Sequence, residues 1–479
     1  MARRPTRSRP STSRARHQIP PPQTSTPLGG AVADHTGEFT GRYLVLLRDN
    51  GISDSLQALS NTAGLKDVCS SADFDSAAVE MSQAEGAEVF VLDKLKVAVV
   101  RADPTQAGHL TAAASGDSAI MAVEPERIMY ALALLPEQQT TVSTTLLPLQ
   151  YLRGYKDAVN NLYEALTSPT RADIGEAAVV AGFTDSAQFT WGLQATKANQ
   201  SRFTGRGVRI AVLDTGMDLG HPDFAGRAIT GQSFVAGEQV QDGNRHGTHC
   251  IGTSLGPKAP PSGMRRYGCA SGAEIFSGKV LSNAGSGADT GILAGINWAI
   301  TNQCRIVSMS LGAPVMPGET FSPIYESVAQ RALQSGSGTL IIAAAGNSSR
   351  GQNGQRREPP NPVGRPANCP SVLAVAAVDS NLTIAPFSDA GINPNGGGVD
   401  IGGPGVDVFS SVPINRGTHG VLSGTSMATP HVAGIAAMWL EARGLDTTAP
   451  ALWQLLTGNA LRLNLSSRDV GAGLVQAPV

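Results

Sequence analysis

An aspartate, a histidine and a serine stand far apart in this 479-residue chain, each inside a short block suited to its chemistry. The blocks are Val212-Leu213-Asp214-Thr215-Gly216, His246-Gly247-Thr248-His249 and Gly424-Thr425-Ser426-Met427-Ala428-Thr429-Pro430-His431. A carboxylate can fix the tautomer of an imidazole, the imidazole can take a proton from a hydroxyl, and the freed oxygen can attack a carbonyl carbon. Unrelated folds bring such a trio together in different chain orders, so the order Asp, His, Ser is itself informative. The chemistry these residues point to is acyl transfer through a serine ester.

Each residue also has a plainer reading. Asp214 closes an apolar run and precedes Thr-Gly, a place that suits a turn aspartate as well as a half-buried carboxylate facing an imidazole. Asp218 and Asp223 are nearby alternatives, but neither ends a run. His246 and His249 together invite a metal reading. Two histidines without a Glu or Cys at metalloprotease spacing make a poor zinc site, which leaves His249 structural. Ser426 resembles an ordinary helix N-cap, yet the full octet exceeds what capping needs. Gly424 allows a tight turn, the pattern predicts a helix over 427–440, and Pro430 falls in its tolerated first turn. Free N–H groups and the positive end of the helix dipole then lie beside the hydroxyl, where charge would develop on a carbonyl oxygen.

These side chains need a scaffold, and the chain reads as four parts. Residues 1–41 form a basic, disordered tail with six arginines in its first thirty residues and Pro20-Pro21-Pro22. It offers no 7–15-residue apolar stretch, so export is not supported there and a cytoplasmic or non-classically exported protein is expected. Residues 42–131 alternate as strand 42–47, helix 54–65, strands 89–92 and 96–100, helix 104–114 and strand 119–130, the last interrupted at Val123-Glu124-Pro125. That β-α-β-β-α-β order is ferredoxin-like. Residues 132–190 connect, with helices over 149–166 and 172–181. From 191 to 479, apolar runs at 208–213, 275–281, 305–310, 339–344 and 372–378 alternate with helical patterns such as 291–301 and 324–335. The alternation predicts an α/β fold, a mostly parallel sheet between helical layers, with functional residues beyond the strand carboxyl ends.

Bulk properties exclude other classes. Lys and Arg number 36 against 38 Asp and Glu, so a net charge of −2 gives no electrostatic reason to expect nucleic acid or an anionic membrane. No apolar stretch approaches a membrane span of about 20 residues. The cysteines Cys69, Cys250, Cys269, Cys304 and Cys369 lack CxxC spacing, so neither a zinc site nor a disulfide framework is signalled.

In order and separation, the three blocks resemble the signature blocks of the subtilase family of serine proteases, over residues 191–479. Cys250 after the histidine block and Gly403-Pro404-Gly405 resemble the proteinase K branch. The module at 42–131, ending near Val-Glu-Pro-Glu, resembles the family's propeptide, which chaperones the enzyme and plugs its cleft. The resemblance implies a three-layer subtilisin-like fold and a serine endopeptidase made as an autoprocessed, monomeric zymogen. Its implied partners are protein or peptide substrates and its own propeptide, and family analogy adds secretion. Asp214 would orient the imidazole, His246 would act as base and then acid, and Ser426 would attack.

Further assignments rest on the same resemblance. Ala343-Ala344-Ala345-Gly346-Asn347-Ser348 is similar to the oxyanion segment, with Asn347 and the backbone N–H of Ser426 as donors. Gly285-Ser286-Gly287 and Ser310-Leu311-Gly312 resemble the two edges that hold an extended peptide, with Ala344, Ala345 and Gly346 beside them. Gly364 resembles the floor of the primary pocket, which implies cleavage after bulky apolar residues, with Arg365 as a possible bias. The chemistry requires no cofactor. A structural calcium site is implied at Pro370, Val372 and Asp379, while the loop 256–268 lacks the oxygens of the family's other site. Two rival readings are kept: a catalytically silent binding or regulatory protein of the same fold, and a protease dedicated to one partner.

Overall fold

The structure, a computed structural model, describes residues 39–48, 52–115, 119–133, 182–315, 319–391 and 396–479, all within the unit Asp34–Val479. The tail before residue 39 and the helices expected at 149–166 and 172–181 lie outside the described residues.

The N-terminal module runs β1 (Phe39–Leu47), α1 (Ile52–Ala63), β2 (Val68–Ser70), α2 (Met81–Gly86), β3 (Val89–Leu92), β4 (Val97–Val100), α3 (Pro104–Ala114) and β5 (Ile120–Ala131). Its strands lie in the order β5-β1-β4-β3-β2, antiparallel except for β2 beside β3. This is the expected ferredoxin-like pattern with one added edge strand. Pro125 does not interrupt β5; it pairs opposite Tyr43 and the strand continues to Ala131. The helix α3 starts where the sequence demands: Asp103 accepts from the N–H groups of Thr105 and Gln106, Gln106 reaches back, and Pro104 takes the first turn.

The sheet's period of two splits its side chains between two cores. Val45, Leu47, Val89, Val91, Ala98 and Val100 pack with Leu59 and Leu110 of the module's own helices. Leu44, Leu46, Phe90, Leu92, Val97 and Val99 face the larger body and join its core. Each such fully buried side chain contributes about 1.5–3 kcal/mol.

The larger body contains α4 (Trp191–Ala195), β6 (Arg209–Asp214), β7 (Ile229–Ser233), α5 (His246–Leu255), β8 (Glu274–Lys279), β9 (Ser286–Ala288) and α6 (Asp289–Thr301). There follow β10 (Ile306–Met309), β11 (Leu311–Gly312), α7 (Pro323–Gln334), β12 (Leu340–Ala344), β13 (Leu373–Val378), β14 (Ile401–Pro404), β15 (Val408–Ser411) and β16 (His419–Leu422). The chain closes with α8 (Thr425–Arg443), α9 (Ala449–Gly458) and α10 (Ser467–Val470). Seven strands form one sheet in the order β14-β13-β12-β10-β6-β8-β7, and every pairing in it is parallel. Ile210 and Val212 face α5 and α8, while Ala211 and Leu213 face α6 and α7. The body begins before the boundary expected at 191: Phe183 N–H donates to Ser380 O at 2.8 Å, and Phe189 bridges Arg266. All five cysteines are free thiols. Among the described residues, no helix is long and apolar enough to cross a membrane.

Candidate active site

Asp214 ends the central strand β6, and His246 opens α5. Their side chains meet with His246 Nδ1 donating to Asp214 Oδ1 at 2.7 Å, both groups being buried. Thr215 N–H donates to the same oxygen at 2.7 Å. The turn before His246 is strained, with Arg245 at φ 128°. Asp242 holds it: one oxygen accepts from Thr215 Oγ1, Asn244 N–H and Arg245 N–H, the other from Thr248 N–H and Oγ1. The second ring nitrogen of His246, Nε2, is buried and has no hydrogen-bond partner among the described residues.

Gly424, at φ +150°, precedes α8, and Ser426 is the second residue of that helix. Its Oγ donates to Ser310 O at 3.0 Å, and Ser310 Oγ donates to Ser426 O at 2.8 Å. The helix starts at Thr425, so Pro430 sits in its second turn rather than the expected first. Lacking an N–H, Pro430 leaves the carbonyl of Ser426 without its i+4 donor. Ser310 and the Cys250 thiol, at 3.5 Å, take that carbonyl instead.

Asn347 faces the same helix start. Its Oδ1 accepts from Thr425 N–H and Oγ1, both at 2.9 Å, which fixes the amide and turns Nδ2 outward. Nδ2 donates to the carbonyl of Leu132 at 2.5 Å. Behind it, buried Asp389 accepts from the Ser348 N–H and the Ser348 and Ser349 hydroxyls, and burial pushes its carboxyl up to about 7. A side chain at Gly346 would collide with Asp389, and its φ of +118° favours glycine as well.

The segments that carry Ser286-Gly287 and Leu311-Gly312 flank β5 on its two sides. β5 pairs antiparallel with β9 through Ile128–Ala288, Met129–Gly287 and Tyr130–Ser286. On its other side it pairs with β11 through Tyr130–Gly312 and Ala131–Leu311. Gly364 lies below: its N–H donates to Ala345 O at 2.8 Å, and a Cβ there would lie 2.8 Å from Ala313 O. Arg365 turns toward Glu124 and Glu319, at 3.9 and 3.8 Å.

Other candidates fall elsewhere. Asp218 accepts from the Gly220 and Ile414 N–H groups, and Asp223 from Tyr267 Oη and His419 Nε2, so neither serves His246. His249 donates to Val408 O at 2.9 Å, and burial pushes it down to about 3, which fits a neutral structural residue. The calcium set does not assemble. Pro370 and Val372 precede β13, and Asp379 follows it; six residues at about 3.3 Å each separate them by roughly 20 Å. Asp379 instead binds its own loop through Asn381 N–H, Thr383 N–H and Thr383 Oγ1. The carboxylate at the start of β13 is Asp400, accepting from Ala374 N–H at 2.8 Å. Sequence reading also missed Asp242 and Lys279. Buried Lys279 lies in register with Asp214 and donates to Thr215 O at 2.6 Å.

The subtilase family model (peptidase S8) matches residues 205–473. Subtilisin E of Bacillus subtilis (strain 168) is 40% identical over 259 residues, 54% of this chain and 61% of the relative. Subtilisin Savinase of Lederbergia lenta is 40% identical over 291 residues, 60% of this chain and 96% of the relative. An alkaline protease of Alkalihalobacillus alcalophilus is 39% identical over 291 residues, covering 68% of that protein. The match spans 61% of the length of subtilisin E and of subtilisin NAT of Bacillus subtilis subsp. natto. With a parallel sheet that ends in Asp214, a helix opening on His246 and another carrying Ser426, this chain belongs to the subtilase family.

Proposed function

We propose that the chain is a serine endopeptidase that hydrolyses peptide bonds through an acyl-enzyme. The observation that carries this reading is the imidazole held on one nitrogen by Asp214, at 2.7 Å, with its other nitrogen buried and unpaired. On this reading the Ser426 hydroxyl leaves Ser310 O for another rotamer and gives its proton to that nitrogen. His246 takes the proton as Ser426 attacks, then gives it to the leaving amine. Asn347 Nδ2 and the Ser426 N–H stabilise the oxyanion, their amides already oriented. Water then attacks the Ser426 ester with His246 as base, which releases the new carboxylate and restores the hydroxyl.

The N-terminal module acts as an inhibitory propeptide, supported by β5 lying between β9 and β11. A fluorophosphonate probe tests the enzyme reading. Wild type should label at Ser426, and Ser426→Ala and His246→Ala should not. Folded wild-type protein that stays unlabelled and cleaves no peptide would leave the silent-protein reading. A peptide library then sorts a broad protease, cutting after bulky apolar residues, from a dedicated processor that leaves most peptides intact.

A structural cation, if held, belongs with Asp400 and the carbonyls of Pro370 and Val372, because Asp400 is the carboxylate bonded at that end of β13. Calcium should then raise the melting temperature of wild type and leave that of Asp400→Asn unchanged.

A further inference from the structure

The segment that fills the cleft does more than block it, because its register presents one peptide bond to the reacting groups. Ala131 N–H donates to Gly285 O at 2.9 Å, and Leu132 N–H to Ser310 O at 3.3 Å. The next polar group along the chain, the Leu132 carbonyl, accepts from Asn347 Nδ2 at 2.5 Å. A Cβ built on Gly424 would lie 2.5 Å from that oxygen and 3.3 Å from Ala133 Cα, so this peptide rests against the turn that carries Ser426. Ala133 lines one cavity with His246, together with Tyr130 and Ala131 from the acyl side. The Leu132 side chain points under the β11 edge, with Cδ1 at 3.1 Å from a Cβ position on Gly312.

We propose that the chain cuts itself between Leu132 and Ala133. The inference rests on the endopeptidase reading and adds the bond, which the sequence does not mark. Ser426 Oγ bonds to the Leu132 carbonyl carbon while its proton passes to His246 Nε2. The C–N bond then breaks, and the same proton goes to the nitrogen of Ala133, which leaves as a free α-amine. Water attacks the Leu132 ester with His246 as base, giving a Leu132 carboxylate and restoring the Ser426 hydroxyl. Leu132 is the residue in the primary pocket, so the pocket accepts a γ-branched apolar side chain. The body that remains starts at Ala133, 50 residues before Phe183 rejoins it by donating to Ser380 O. It keeps the whole connecting segment unless a later cut removes it.

The test maps both new ends in full-length protein. Intact-mass analysis of freshly produced wild type should find an N-terminal fragment ending at Leu132 and a body beginning at Ala133. Ser426→Ala should stay whole. Leu132→Asp, which would bury a charge in an apolar pocket, should slow this cut by about 100-fold or more, while Leu132→Met keeps both its position and its rate within about tenfold. A wild-type protein that labels with fluorophosphonate but yields a fragment ending at another residue overturns this bond and leaves the endopeptidase reading intact. A folded wild type that neither labels nor cuts overturns both. The wild-type fragment end decides the matter even if Leu132→Asp fails to fold.

Discussion

The N-terminal module grips the larger body at two places that work by different means. In the cleft, β5 is held by backbone: strand pairing with β9 and β11, and carbonyl to amide at Asn347. Over the helices it is held by charge. Glu124 Oε1 accepts from Ser322 Oγ at 2.9 Å and Ile324 N–H at 3.2 Å, at the start of α7. Glu126 accepts from Thr290 N–H at 2.9 Å and from the Thr290 hydroxyl, at the start of α6, and is buried with Arg42 at 2.7 Å. A carboxylate at a helix N-terminus satisfies free N–H donors and meets the positive end of the dipole. Backbone pairing accepts almost any extended peptide, whereas two carboxylates at the spacing of two helix ends do not. On the proposed reading, the cleft supplies the chemistry and the helix ends supply the identity.

That division can be broken in four ways, and the largest effect belongs to the cleft. Asn347→Ala should lower kcat on peptide substrates by about 10²–10³ with little change in KM, a magnitude borrowed from a subtilisin asparagine. A rise in KM of that size with kcat unchanged would make Asn347 a binding group. The double substitution Glu124→Gln and Glu126→Gln should raise the dissociation constant of the cleaved module about 10–10²-fold, read by dilution of processed protein, and leave kcat unchanged. A fall in kcat of the same size would merge the two regions.

The third test uses pH. Asp289, first residue of α6, accepts from Arg127 N–H and Tyr325 Oη at 2.8 Å each, with Glu126 and Glu124 close by. Burial, despite those two hydrogen bonds, pushes its carboxyl from 3.8 up to about 7, and the two glutamates add to the rise. Removing the module opens this helix end to water and returns the carboxyl toward its ordinary value. The complex thus binds a proton that the separated body releases. Its extra stability is full below about 4, falls as pH rises toward about 7 and levels off above. The dissociation constant should rise between pH 5 and 7 by up to about tenfold per unit, and Asp289→Asn should flatten the curve. A constant that falls over that range would reverse the sign and reject the account. Smallest of all, Ala131→Ser keeps its N–H on Gly285 and should shift the dissociation constant by less than about twofold.

The parts that sequence disclosed are those with local signatures. Asp214, His246 and Ser426 sit in blocks whose neighbours reveal strand end, helix start and tight turn, and the edge glycines Gly287 and Gly312 pair with Met129 and Tyr130 of β5. The β-α-β-β-α-β module was equally legible, because its apolar alternation is written residue by residue. What stayed hidden depends on pairing at a distance. Asp379 follows Val378 in the chain and looked like a partner of Pro370 and Val372, yet a strand carries it to the far end. Asp400 reaches that place through the pairing of β13 with β14. Leu132 has no signature at all; only the register of β5 against two edges singles it out. The Val-Glu-Pro-Glu near the module's end was visible as a motif, but its purpose appeared only once two helix ends stood opposite it.

Pro430 has a consequence of its own. By withholding one donor it leaves the Ser426 carbonyl open, and Ser310, just before the β11 edge, fills the opening with its hydroxyl while receiving the Ser426 hydroxyl in return. The two serines are thereby buckled to each other. Should the Ser426 hydroxyl turn to His246, the other half of that exchange stays behind and keeps the start of α8 fastened to the edge that receives the Leu132 N–H.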